Sequence, residues 1–338
     1  MAVLDVRKLS VTYRSGDGDV YAVDDVSFAL EKGDSLGLVG ESGSGKTTIG
    51  KAILRLLPEG CVAGDSRIFF DGKDLLDASE REMRAIRGRK IGLIPQSAMN
   101  ALDPVVRVGD LITEAMVLHG LTDRGGADGK IKELFASVGL DMDRRMHYPH
   151  MFSGGMRQRA VIAMAFALEP SLIIADEPTT GLDVIVQGQI LKELSKLVAR
   201  TGSTFMIITH DMGVVAEHCR TVAVMYAGRL VEVGPARDVL LSPSHPYTMG
   251  LRNGFLGVSG KVREVISIPG APPRLAAPAR GCSFRPRCPF SESRCETEKP
   301  PMQEASCSHR VACHFRERAS EMREQAMSPA AWREAPGE

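Results

Sequence analysis

No stretch of this sequence approaches the roughly 18 consecutive apolar residues that a membrane-spanning helix requires. The N-terminus lacks a basic segment followed by an apolar one; MAVLDVRKLSVTY alternates like a strand, and a secretory signal is not expected. Net charge is absent as well. Lys plus Arg and Asp plus Glu each number 42, so no overall field draws the protein to nucleic acid or to an anionic membrane. Internal repeats and heptad runs are missing, which argues against solenoids and long coiled coils. There is no Cys-x-x-Cys knuckle, although five of the seven cysteines crowd between Cys282 and Cys313. Cys61 and Cys219 stand alone. In the reducing cytosol that these absences predict, such a crowd suits metal better than disulfides.

What is present reads as a globular protein with room for a real core: 338 residues, 43% hydrophobic and 25% charged. Residues 1–96 alternate β-like segments with one strong helix, Thr47 to Leu57. Residues 97–165 read as mostly helical, with helices over Asp128 to Val138 and Met156 to Leu168. From 166 to about 240 strand and helix signals alternate again: LIIADE, Val186 to Arg200, TFMIITH and TVAVMYAGRLVEVG. That order predicts an α/β fold, a largely parallel sheet interrupted by a helical insertion. After Pro243 the chain becomes rich in Pro, Gly and Ala. "SPSHPYTMG" and "IPGAPPRLAAPARG" read as extended linker or wrapping segments, and "RERASEMREQAMSPAAWREAPGE", from Arg316 on, as a short exposed helix followed by a disordered end, with residues 321–338 the tail.

Chemistry enters at "LGLVGESGSGKTTIGKAILRLL". An apolar strand, Ser35 to Val39, leads into Gly40, Ser42, Gly43, Ser44 and Gly45, and then Lys46, Thr47 and Thr48 open a helix. Glycines let backbone N–H groups turn inward around phosphate oxygens, and the helix N-terminus adds a favourable dipole. Lys46 would reach the β- and γ-phosphates, and the Thr47 hydroxyl would bind Mg²⁺. A second strand, Leu172 to Ala175, ends in two acids. Asp176 sits where a further Mg²⁺ contact is needed, and Glu177 could polarise a water attacking the γ-phosphate. The spacing therefore predicts a nucleoside triphosphatase.

With these motifs in place, "FSGGMRQR" identifies the resemblance: the chain resembles the ATP-binding subunits of ABC transporters. The resemblance implies a P-loop (RecA-like) ABC ATPase core with an antiparallel β subdomain, an inserted helical subdomain and a Cys-rich C-terminal extension. It implies that Ser153, Gly154 and Gly155 cap the γ-phosphate of ATP held by a second subunit, that Gln96 touches Mg²⁺ or the lytic water, and that His210 donates a hydrogen bond to the γ-phosphate. Asp183, in "TTGLD", would lie at the dimer interface, and Gly181 stands where the family usually has Ala. Tyr13 is the expected adenine platform, with Tyr21 its competitor.

The later segments "NALDPVVRVGDLITE", "YPHMFSGGM" and "SPSHPYTMGL" resemble the dipeptide and oligopeptide branch. Importers for nickel, glutathione and some oligosaccharides share them, and a soluble ABC ATPase acting on ribosome or DNA is the reading from another class. Four thiolates on a loop suit Zn²⁺ or an iron–sulfur cluster, and spacing favours neither. The resemblance points to a [4Fe–4S] cluster on Cys282, Cys288, Cys295 and Cys313 within residues 241–320, with Cys307 a spare. It also implies the partners: two transmembrane permease subunits, a second ABC ATPase in a heterodimer, and an extracytoplasmic solute-binding protein, with no nucleic acid. The location implied is the cytoplasmic side of the inner membrane, peripheral.

Overall fold

The computed structural model describes residues 2–14, 16, 18–97, 101–123, 125–254, 266–273 and 275–333. The chain forms two compact units, Met1–Val3 with Leu30–Asp34 and Asp71–Ile208, and Leu4–Ala29 with Ser35–Phe70 and Thr209–Glu338.

In the first unit the strands Ile91–Ile94, Leu172–Asp176 and Thr204–Thr209 lie side by side and parallel, with Ile91 opposite Leu172 and Leu172 opposite Thr204. Leu172–Asp176 is buried at every position, the continuous apolar reading of a parallel strand covered on both faces. The helix Gly154–Phe166 packs on Ile91–Ile94 and on the helix Val184–Thr201. Gly92 permits the first contact, because a Cβ there would lie 2.7 Å from Ile173 Cδ1 and 2.8 Å from the Ala165 carbonyl. The helical insertion is built from Val108–Leu118, Ala127–Ser137 and Gly154–Phe166. Ile112, Met116, Ile131 and Phe135 form its buried stripe at helical spacing.

The second unit carries Ser35–Val39 parallel to Thr221–Tyr226, with Leu36 opposite Thr221. Arg229–Pro235 then returns antiparallel. The sequence "TVAVMYAGRLVEVG" is thus a hairpin, turned at Ala227 (φ 47°) and Gly228 (φ 83°), both left-handed as a two-residue type I′ turn demands. His309–Val311 pairs antiparallel on Arg229–Pro235, and Gln303–Ser306 on His309–Val311, so the C-terminal extension lengthens this sheet. Separately, Ala2–Tyr13 pairs antiparallel with Arg67–Phe70, placing Leu4 opposite Phe70, and has Val20–Glu31 on its other side.

Two expectations about the C-terminal part are corrected. "SPSHPYTMG" is not extended throughout; Pro246–Gly254 is a helix with Tyr247 and Thr248 fully buried. Proline suits the first helical turn. The N–H groups of Ser244 and His245, just before the helix, are taken by the buried Glu232 carboxylate at 2.6 and 3.0 Å, while His245 Nδ1 accepts from the Tyr247 N–H in the first turn at 3.0 Å. The short helix expected in the tail is present, but it is buried on one side and a second helix follows it where disorder was expected. Ala319–Gln325 and Pro329–Arg333 are helical, with Met322 and Trp332 buried and the Trp332 indole N–H donating to the Ala326 carbonyl at 3.0 Å. A few apolar residues spaced to reach one core outweigh a polar composition there. The last five residues of the expected tail lie outside the described residues, as do Asn100, at the start of "NALDPVVRVGDLITE", and Arg274, within the Pro-rich segment.

Candidate active site

The phosphate loop is built as its sequence dictates. The strand Ser35–Val39 ends, Gly40 to Gly45 turn, and the helix starts at Lys46 and runs to Ile53, four residues short of the expected end. Arg55 takes a left-handed φ of 50° and Pro58 follows, which closes the helix. Gly45 has φ 101°, and a Cβ there would collide with the Ala22 carbonyl, so only glycine fits. Lys46 is 5% exposed. Its ammonium donates to the carbonyls of Gly40 and Glu41, each at 2.8 Å, and to Ser44 Oγ at 3.4 Å, so it is held at the concave side of the loop. Thr47 is half-buried, while Ser42 and Gly43 are exposed. The Tyr13 hydroxyl lies 3.3 Å from Thr48 Oγ1, which ties the expected adenine platform to the first turn of the loop's helix. Tyr21 instead pairs through its N–H with the Leu275 carbonyl, at 2.8 Å, beneath the Pro-rich segment. His210 is exposed, one residue beyond the strand Thr204–Thr209; next to it Asp211 caps the helix Met212–His218 by accepting from the Gly213 N–H at 2.7 Å.

In the first unit the structure brings together two residues 81 positions apart. Glu177 Oε2 accepts from the Gln96 amide at 3.0 Å and from the Thr180 hydroxyl at 2.9 Å. Glu177 adopts φ 43°, a left-handed conformation that costs a non-glycine residue about 1 kcal/mol or more, and its N–H donates to the Ile208 carbonyl at 2.8 Å. Strain of this kind at a strand end re-aims a side chain. Asp176, the preceding residue, is buried at 8% exposure.

Ser153 caps the helix Gly154–Phe166, accepting from the Met156 N–H at 3.3 Å. That helix begins two residues earlier than its apolar pattern predicts because the serine cap sets its start. Gly155 is needed for packing too, since a Cβ would lie 2.8 Å from Val186 Cγ1. Asp183 has a role that the sequence reading missed: it caps the helix Val184–Thr201, accepting from the Val186 N–H at 3.0 Å. Gly181 has φ 81°, which the usual alanine would adopt only under strain.

Sequence reading also missed three residues around the phosphate loop. The Glu41 N–H donates to the Tyr247 hydroxyl at 2.9 Å, and the Glu41 carboxylate is paired with both terminal nitrogens of Arg287, at 2.7 and 2.9 Å. No local signal could have shown this, because 246 positions separate Arg287 from Glu41.

Cys282, Cys288, Cys295 and Cys313 line one enclosed cavity of about 20 Å³ together with His245, Phe284 and Met322, while Cys307 is exposed elsewhere. Burial pushes the thiols up, to about 11 for Cys282 and about 12 for Cys313, and the charges of neighbouring cysteines add to it. Burial also lowers His245 to about 3, so its ring is neutral, consistent with Nδ1 accepting from the Tyr247 N–H at 3.0 Å. The donor set suits an iron–sulfur cluster, and the cavity among the four thiols is small. Among the described residues no group of three or more His, Cys, Asp or Glu side chains stands ready to hold a metal ion. The expected cluster, and zinc equally, therefore find no support in the arrangement as it stands.

Comparison with known proteins agrees with this geometry. Residues 23–180 match the family model described as ABC transporter, and residues 231–295 the one described as Oligopeptide/dipeptide transporter, C-terminal region. The chain is 45% identical to the probable peptide ABC transporter ATP-binding protein y4tR of Sinorhizobium fredii, over 92% of this chain and 94% of that one. It is 44% identical to the oligopeptide transport ATP-binding protein OppD of Salmonella typhimurium, over 92% and 93%. Dipeptide transport ATP-binding protein DppD of Bacillus subtilis is 42% identical, over 94% and 96%. Among solved structures, the dimeric post-hydrolysis state of the ATP-binding cassette MJ0796 with ADP and Pi superposes with a TM-score of 0.62 at 26% identity, covering 69% of this chain and 99% of that one.

Proposed function

The chain belongs to the ABC transporter family, and from that premise we propose that it is the ATP-hydrolysing subunit that powers import of peptides. The ABC ATPase fold and its activity follow from the family. The peptide class is supported by the match at residues 231–295 and by relatives named for oligopeptide and dipeptide transport.

The observation that carries the chemistry is the bond between Gln96 and Glu177. A carboxylate fixed by an amide and a hydroxyl, on a strained turn, is oriented before substrate arrives and loses little freedom in reaching its transition-state position. In this reading Glu177 draws the proton from the attacking water, and His210 and the ammonium of Lys46 face the γ-phosphate. Lys46 exchanges its bonds to the Gly40 and Glu41 carbonyls for phosphate oxygens. Thr47, Asp176 and Gln96 would hold Mg²⁺, which supplies charge neutralisation when bound. Tyr13 stacks on adenine. Ser153, Gly154 and Gly155 serve the nucleotide of a second ATPase subunit, and Asp183 lies at that subunit's interface. The signature serine is already engaged as a helix cap, so its hydroxyl is aimed by the helix it starts.

In this reading the partners are two permease subunits, a second, different ATPase and an extracytoplasmic solute-binding protein, with this chain peripheral on the cytoplasmic face; no helix among the described residues is long and apolar enough to cross a membrane. Mild-detergent pull-down of the tagged chain from native membranes should bring two multi-span proteins and a second ATPase. Ribosomal proteins or nucleic acid in their place would sink the transport reading. In the assembled complex, Glu177→Gln should retain MgATP binding and lose about 100-fold or more of its hydrolysis.

For the C-terminal cysteines we propose the [4Fe–4S] assignment on their donor chemistry alone. Anaerobically purified protein without stoichiometric iron and sulfide would eliminate it; zinc in their place would reassign the metal.

A further inference from the structure

We propose that Arg287, in the Cys-rich extension, is a positioning residue for nucleotide binding: it neutralises Glu41, a carboxylate carried by the phosphate loop itself, and with Tyr247 fixes that part of the loop. The inference rests on the loop's assignment to ATP phosphates.

A loop that binds polyphosphate gathers N–H donors and a lysine. Glu41 is out of character there, because a carboxylate beside an anion site repels the ligand. The structure answers that charge with one cation. Arg287, 5% exposed, sets both terminal nitrogens on Glu41 in parallel, at 2.7 and 2.9 Å. The geometry is the bidentate fork that arginine forms and lysine cannot. The guanidinium is itself held from behind. Its Nε donates to the Pro269 carbonyl at 2.7 Å, one terminal nitrogen reaches the Tyr226 hydroxyl at 3.3 Å, and its centre lies 5.7 Å from the Tyr226 ring. Burial alone would lower the Arg287 pKa, but Glu41 and Tyr226 outweigh it and hold it above its ordinary value.

Glu41 is engaged at every polar group. Its side chain meets Arg287, its N–H donates to Tyr247, and its carbonyl accepts from Lys46. Tyr247 is fully buried within an aromatic cluster, 4.6 Å from the Tyr226 ring and 5.4 Å from the Phe284 ring. The loop residue is therefore anchored at two points of the extension, Arg287 and Tyr247.

The test measures binding of a fluorescent ATP analogue with Mg²⁺ to the full chain. Arg287→Met leaves the Glu41 charge uncompensated and should weaken binding about 10-fold, which corresponds to about 1.4 kcal/mol, with a defect that shrinks at high salt. Adding Glu41→Gln to Arg287→Met should restore affinity to within about 3-fold of the parent. A residue that merely stabilises the extension would give no such rescue. Parental affinity in Arg287→Met, or a double variant as weak as the single one, overturns the inference. Should Arg287→Met not fold, Arg287→Lys carries the test: it keeps the charge and should lose less than about 3-fold, and a 10-fold loss would show that charge is not the point. Lys46→Ala separates the two readings. If it leaves binding unchanged, the loop's assignment fails; if it abolishes binding while the Arg287 variants do not alter it, only the inference fails.

Discussion

The phosphate loop and the C-terminal extension belong to one compact unit and are held by opposite means. The loop is shaped by backbone. Its glycines take conformations that side chains forbid, and its helix begins where the N–H groups are needed. The extension is a set of short helices and strands joined by irregular segments, and buried polar groups hold it in place. Glu232, fully buried, accepts from the Ser244 and His245 N–H groups and pairs with His309 at 2.7 Å, while Arg287 reaches Glu41. Local geometry gives the first its shape. The second is only as stable as its scattered contacts, and it is the second that grips the first.

Four measurements would break or sharpen this contrast. The largest effect belongs to the loop: Lys46→Ala should reduce ATP hydrolysis by the assembled complex by about 100-fold or more while leaving the thermal unfolding midpoint of the chain almost unchanged. If stability fell with activity, the loop's bonds would carry part of the fold and not only the chemistry. Trp332→Ala should do the reverse, costing about 3–5 kcal/mol in denaturant unfolding, because a buried ring and its bond to Ala326 are lost together. A cost below about 1 kcal/mol would mean that the terminal helices are loosely attached. Glu232→Gln should cost about 2 kcal/mol by the same assay, since one oxygen that accepts bonds becomes a donor facing N–H groups. The smallest effect is expected at an exposed surface outside both regions. Glu82, held mainly by Lys73 and also by the cap residue Ser79, is depressed to about 2. Its charged form is favoured in the folded state, so its contribution is present above about pH 4.5 and fades as pH falls toward 2. Glu82→Gln should remove a slight acid-side slope of the unfolding midpoint and do nothing at neutral pH.

The loop, the acid pair Asp176–Glu177 and the helical insertion were legible because each is encoded within a few residues. Strand Ser35–Val39 matches its expected bounds, and the helix Gly154–Phe166 starts earlier than expected where Ser153 caps it. Periodicity does not show partners, so the meeting of Gln96 with Glu177 was not readable as geometry. Nor did it show that Asp183 caps a helix or that Gly155 makes room for Val186. The extension was the least legible. Its cysteines drew notice, yet its proline-rich composition suggested linker where Pro246–Gly254 is a helix, and disorder where Trp332 finds a core.

By itself, the sequence determined the nucleotide chemistry and the order of strands and helices, since turn glycines, caps and apolar spacing act on immediate neighbours. Tertiary structure alone decided which distant charges meet. An arginine has no local preference for a glutamate 246 positions away; only a fold that buries both makes their pairing the lowest-energy arrangement.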